Sequence, residues 1–210
     1  MKYIEKLHYI THDLPGISHI EQVQWACEAG AKWIQYRCLS KADDELLTEV
    51  NAIAEICDDW GTTLIVTNHT QLHGKADIQG FHMEDRNANF VSLRKQLGDD
   101  VTLGGYATDL AGIIQLANAG ADYVGLGPFD VTTTKINDCT LLGIEGYQTI
   151  MPQLKKSGIK IAVLAVGGVK LGNVEDLMHT GIYGVAVSGA IYSADDFIEA
   201  YQDFYDAVKR

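Results

Sequence analysis

Eight short apolar runs, each followed by a polar or helix-patterned stretch, constrain this chain more than any other feature. They fall at residues 7–11, 32–37, 63–67, 80–83, 101–105, 123–126, 159–166 and 184–188. Most are close to continuously apolar rather than alternating. Strands buried on both faces read that way, and such strands belong to parallel sheets covered by helices. Helical spacing of apolar residues fills the gaps at 18–29, 43–59, 92–96, 110–119, 146–156, 174–179 and 197–209, whereas 71–76 reads as a short connection. Ser18 is placed to cap the first helix and Gly30 to stop it. Eight β/α repeats in 210 residues fit a (β/α)8 TIM barrel, a single domain over 1–210, since a doubly wound sheet usually carries fewer strands for that length.

The charge balance narrows the partners. Sixteen Lys+Arg stand against 28 Asp+Glu, a formal charge of −12. Nucleic acid and anionic membrane surfaces both call for basic patches, so neither is expected. No run reaches the ~18 apolar residues that a membrane span needs. The stretch MKYIEKLHYITHD has charges every few residues, and Cys27, Cys38, Cys57 and Cys139 are scattered with no CxxC pair. The expectation is a cytoplasmic protein with reduced thiols. Its outer helices would offer the surface for a homodimer.

A barrel carries its chemistry on the loops after its strands. Alternation puts Gln35 and Arg37 on one face at the end of the second strand, and Thr67 and Asn68 end the third. The sixth strand opens from DYVGLGPFD into Thr132, Thr133, Thr134 and Lys135, hydroxyls and an ammonium suited to anionic oxygens. Gly167 and Gly168 follow strand seven, and Ser188 and Gly189 follow strand eight. Together they make a common barrel phosphate site, where backbone N–H groups can approach an anion. Two anion regions therefore emerge, one at the last two loops and one between Arg37 and Lys135. Two phosphorylated groups at once imply small phosphorylated substrates and a two-substrate transferase.

Other features read more plainly. His69 and His73 are four apart, with His82 nearby, but their segment is not convincingly helical, so a zinc site is not the preferred reading. Cys38, beside Arg37, reads as a small buried residue rather than an activated thiol. Trp25, Trp33 and Trp60 read as packing residues.

At the level of whole motifs the chain resembles the thiamine phosphate synthase family and its thiazole tautomerase relative, TenI. The resemblance rests on LHYITHD, GAKWIQYR, LIVTN, GFHM, AGADYVGLGPFDVTTTK, LLGIEG, AVLAVGGV and GVAVSGAI, essentially end to end. It implies transfer of a hydroxymethylpyrimidine from its diphosphate to the nitrogen of a thiazole phosphate, giving thiamine phosphate and pyrophosphate. By motif match Gln35, Arg37 and Lys135 would hold the diphosphate. Thr132 and Thr134, with Gly167, Gly168, Ser188 and Gly189, would hold the thiazole phosphate. The family cofactor would be Mg2+, at positions filled here by Asn68 and Asn87, with Glu84 or Asp85 as replacement carboxylates.

The departures from the family pattern are local. Leu39 stands where the family has a lysine, with Lys41 two residues on as a possible substitute. Asn68 and Asn87 replace two carboxylates, and magnesium gains little from neutral carbonyls. Thr108 replaces the histidine that tautomerase relatives use for proton transfer. The expectation is therefore a synthase of reduced activity, and the alternatives are a TenI-like tautomerase and a non-catalytic binder of phosphorylated thiamine precursors.

Overall fold

The computed structural model describes residues 2–132 and 139–210. Eight parallel strands close in sequence order into a barrel: β1 (Leu7–Ile10), β2 (Trp33–Tyr36), β3 (Thr63–Thr67), β4 (Gly80–Met83), β5 (Thr102–Ala107), β6 (Tyr123–Leu126), β7 (Ala162–Val166) and β8 (Gly184–Val187). Around them run α1 (His19–Glu28), α2 (Asp43–Trp60), α3 (Phe90–Leu97), α4 (Leu110–Asn118), α5 (Gly143–Ser157), α6 (Val174–His179), α7 (Gly189–Tyr192) and α8 (Phe197–Lys209). Between β3 and β4 the chain makes only a 3-10 turn at Thr70–Leu72, matching the weak pattern read there.

Local chemistry explains most boundaries. Ser18 and Glu21 form a reciprocal capping box at the start of α1, and Gly61 ends α2 in the left-handed conformation. Helix α3 begins two residues before the expected start because the Asn89 side chain accepts from Ser92 N–H and so sets the cap. Strand β7 begins at Ala162 rather than 159, after the left-handed Gly158 that closes α5. Helix α7 was not anticipated; four residues carry no period to read.

The main apolar core lies between strands and helices, while Ile4, Trp33, Ile65, Tyr123 and Leu164 form a second cluster. Gly104 makes room for one of these large rings. A Cβ there would sit 2.1 Å from the Tyr123 ring. Trp33 is fully buried and Trp25 packs on Phe197, in line with their reading as packing residues, whereas Trp60 is 44% exposed.

Candidate active site

A cavity of about 390 Å³ opens among the strand ends, and Gln35, Arg37, Glu84, Gly167, Gly168 and Ser188 are among the residues that line it. Its two sides are built differently.

On the β2–β4 side, polar groups are already paired. Gln35 donates through Nε2 to Thr67 Oγ1 at 2.9 Å, and both are buried. The Arg37 guanidinium, 6% exposed, faces Glu84: Nε donates to Oε1 at 2.8 Å and Nη2 to Oε2 at 3.4 Å. This fork is the geometry arginine also offers to phosphate. Asn68 sits at φ 63, and its Oδ1 accepts from Glu84 N–H at 2.9 Å, so its amide ties the β3 exit to the β4 exit. Lys41 does not take the place of a cation at Leu39. Its Nζ donates to Glu49 on α2, and Leu39 itself is 62% exposed.

On the β6–β8 side the walls are glycine and hydroxyl. Gly167 and Gly168 take φ 85 and 71, and the loop after β6 lies directly on them, with Asp130 N–H donating to Gly167 O at 2.9 Å. A Cβ on Gly168 would lie 2.6 Å from Val131 O, so only glycine permits both the dihedral and the approach. Ser188 precedes α7, and its Oγ is buried without a hydrogen-bond partner among the described residues. A hydroxyl desolvated in this way costs free energy unless something else satisfies it, and a ligand oxygen in the cavity would. Thr132 lines the same wall. Thr133, Thr134 and Lys135 lie outside the described residues.

At the base, His8 stacks on Trp33 with ring centroids 4.3 Å apart, and His82 Nδ1 is 3.1 Å from the Tyr123 hydroxyl. Neither nitrogen of His8 has a partner in hydrogen-bonding geometry among the described residues. Complete burial, and secondarily the charge of His82, push its pKa well below the usual imidazole value, so His8 is neutral at pH 7. No sequence signal singled out His8. It looks like one more residue of an apolar strand.

The oxygen donors do not assemble a magnesium site of their own. Asn68 Oδ1 is spent on a backbone N–H, and Glu84 is forked by Arg37. Asp85 Oδ1 accepts from Asn87 N–H at 2.9 Å, both residues being exposed. Asn87 faces a separate cleft between α3 and α4, shared with Thr108, whose Oγ1 accepts from Arg86. Among the described residues no three carboxylate, imidazole or thiol groups gather at the β3 and β4 exits. A hard dication needs several anionic oxygens, and these positions alone do not supply them. The histidines do not form a zinc site either. His69 Nε2 meets Cys38 O at 3.4 Å, His73 sets its edge on Phe81, and His82 turns to Tyr123.

A family model described as Thiamine monophosphate synthase matches residues 7–191. The chain belongs to the thiamine monophosphate synthase family. A thiamine-phosphate synthase of Bacteroides fragilis is 36% identical over 193 residues, 92% of this chain and 95% of the relative. One of Flavobacterium psychrophilum is 35% identical over 191 residues, 91% and 93% of the two chains. Among solved structures, thiamine phosphate pyrophosphorylase from Pyrococcus furiosus superposes with a TM-score of 0.83 at 24% identity, covering 97% of this chain and 95% of its own, which speaks for the fold alone. Members of the family are generally magnesium-dependent. No described helix is long and apolar enough to cross a membrane.

Proposed function

We propose that this chain joins hydroxymethylpyrimidine diphosphate to thiazole phosphate, giving thiamine phosphate and pyrophosphate in the cytoplasm. Its relatives of 30% identity or more carry the name thiamine-phosphate synthase, transferases of thiamine biosynthesis. The observation that carries the reading is the asymmetry of one cavity, with a buried arginine fork on one side and a desolvated serine hydroxyl among glycines on the other. Each side suits a different phosphorylated group, and a shared cavity brings their reacting ends together.

The bond between the pyrimidine methylene carbon and the diphosphate oxygen breaks, and a carbon–nitrogen bond to the thiazole forms. Pyrophosphate leaves with the electron pair, so the protein's task is to stabilise the charge that develops there. Arg37 is a buried cation placed to do so, its fork passing from the Glu84 carboxylate to the diphosphate oxygens. Gln35, held by Thr67, would join Arg37 on the diphosphate, and Lys135 would add a second cation by motif match. Ser188, Gly167, Gly168 and Gly189, with Thr132, Thr133 and Thr134, would hold the thiazole phosphate. Thr108, outside this cavity, offers no imidazole for tautomerisation, which disfavours a TenI-like reaction.

The test is an assay with both substrates, in magnesium and in EDTA, reading thiamine phosphate by its fluorescent oxidation product. Product formation supports the synthase. If it depends on magnesium, Glu84→Gln and Asp85→Asn then identify the carboxylate that serves the ion. No product in either condition, with thiazole phosphate still binding in calorimetry, overturns the synthase in favour of a binder of thiamine precursors. Sedimentation equilibrium of the same sample reads the expected homodimer.

A further inference from the structure

Two strand-exit loops and a helix meet beside the cavity in an arrangement that the transfer reaction does not use. Asp13 lies past β1, Cys38 past β2, and His19 in the first turn of α1. One ligand atom from each, a carboxylate oxygen, an imidazole nitrogen and the thiol sulfur, lie within 4.8 Å of one another. Asp13 Oδ1 is 3.1 Å from His19 Nε2 and 3.5 Å from Cys38 Sγ. Zinc bonds of about 2.0–2.1 Å to nitrogen and oxygen and about 2.3 Å to sulfur, set tetrahedrally, place neighbouring ligand atoms about 3.3 Å (N to O) and about 3.5 Å (S to O) apart. Two edges of that tetrahedron are therefore close to the required length. The third, nitrogen to sulfur, is within 4.8 Å and needs at most about 1.3 Å of closure.

The surroundings fit the same purpose. His19 Nδ1 is 2.8 Å from Thr11 Oγ1, a partner that would accept an Nδ1 proton once Nε2 is bound to a metal. Asp13 Oδ2 accepts from Leu39 N–H at 2.9 Å, which orients the carboxylate and leaves Oδ1 to the cluster. That single oxygen faces three donors, the His19 ring, the Cys38 thiol and the Ser40 hydroxyl at 2.8 Å. One dication would take the place of two of those crowded protons, the thiol proton leaving and the His19 Nε2 proton moving to Nδ1 against Thr11. His19 and Cys38 are buried, while the Asp13 side chain is 29% exposed, so the site is shielded on one side and open to a water on the other. Burial acts to raise the Asp13 pKa, but the Leu39 N–H and the His19, Ser40 and Cys38 contacts outweigh it and hold the carboxyl down to about 2.

We propose that Asp13, His19 and Cys38 bind one zinc ion, with water in the fourth position and the Cys38 thiol proton released on binding. The donor set selects a borderline-soft transition metal over magnesium, which does not favour sulfur. Thr11 links this site to the cavity, since its Oγ1 accepts from Arg37 N–H at 3.0 Å. The metal would thus stiffen the two loops that carry the arginine.

Cobalt(II) titration of the chelator-treated protein tests this. The expected result is one equivalent bound with a thiolate-to-cobalt charge-transfer band and tetrahedral d–d bands, displaced by zinc and untouched by excess magnesium. Cys38→Ser and His19→Gln should each weaken zinc binding by roughly 10²-fold or more, while Cys139→Ser keeps the band. An octahedral spectrum without the charge-transfer band in the wild-type protein overturns the proposal, whatever the variants do. So does a band that survives Cys38→Ser or disappears with Cys139→Ser.

Discussion

The two sides of the cavity solve the same problem in opposite ways. Around β7 and β8 the chain leaves a hydroxyl without a partner among the described residues and removes side chains to make room, so that a ligand oxygen would supply the missing contact. Around β2, β3 and β4 the polar groups are satisfied in advance: Arg37 by Glu84, Gln35 by Thr67, and the Asn68 amide by a backbone N–H. The first side stores a cost that binding relieves. The second stores a contact that binding must exchange, and a buried ion pair gives up its partner only to a better one. A diphosphate, with more charge than a carboxylate, is such a partner.

If Arg37 is the group that takes charge from the leaving pyrophosphate, its replacement should have the largest effect. Arg37→Met is expected to lower the transfer rate by about 10²–10³-fold, the usual loss for one transition-state contact. Glu84, half-buried, would then lose this cation, so the double variant Arg37→Met/Glu84→Gln separates lost chemistry from lost stability. Recovery of the rate in the double variant would break the comparison, because the arginine would then be only structural.

The hydroxyl side predicts less damage and a different signature. Ser188→Ala removes a group that has no partner among the described residues, so the melting temperature should hold or rise slightly. Thiazole phosphate should bind about 10-fold more weakly, the worth of roughly one hydrogen bond to a charged group. A clear loss of stability with unchanged binding would mean that the hydroxyl serves the fold.

Much of this was readable in the chain itself. Continuous apolar runs at eight places specify a parallel barrel, because only a strand covered on both faces tolerates them, and the strand ends then nominate the loops. Gln35 and Arg37 point into the cavity as period-two alternation requires. What could not be read depends on closure. Arg37 and Glu84 are 47 residues apart, on strands with β3 between them, and no local pattern pairs them. Lys41 looked available as a cation until α2 brought Glu49 against it. The magnesium positions were recognisable as amides, but that Asn68 spends its oxygen on the Glu84 backbone follows only from its left-handed conformation.

Glu84→Gln sharpens the comparison in the other direction. If the carboxylate competes with pyrophosphate for the guanidinium, neutralising it should tighten pyrophosphate binding several-fold, roughly the worth of a partly screened ion pair. Calorimetry in EDTA reads this without a metal. Weaker binding would show that Glu84 orients Arg37 more than it opposes the ligand.

The smallest effect lies beneath both sides, at His8. Its folded pKa is depressed by desolvation first and by His82 second, while the Glu5 main chain favours the proton slightly. Tyr123, edge-on to its ring, stays un-ionised because burial raises its pKa. Well above pH 6.5 the ring is neutral both folded and unfolded and contributes nothing to pH dependence. Below it the unfolded chain binds a proton that the folded barrel rejects, so stability falls as pH falls. Between pH 7.5 and 6 that amounts to about 0.8 kcal/mol for one such group. His8→Phe keeps an aromatic ring against Trp33 and removes the titration, so urea midpoints of variant and wild type should diverge by that amount over the interval. Parallel midpoints would mean that His8 is protonated or finds a partner in solution, and the cavity base would then belong with the paired side rather than the expectant one.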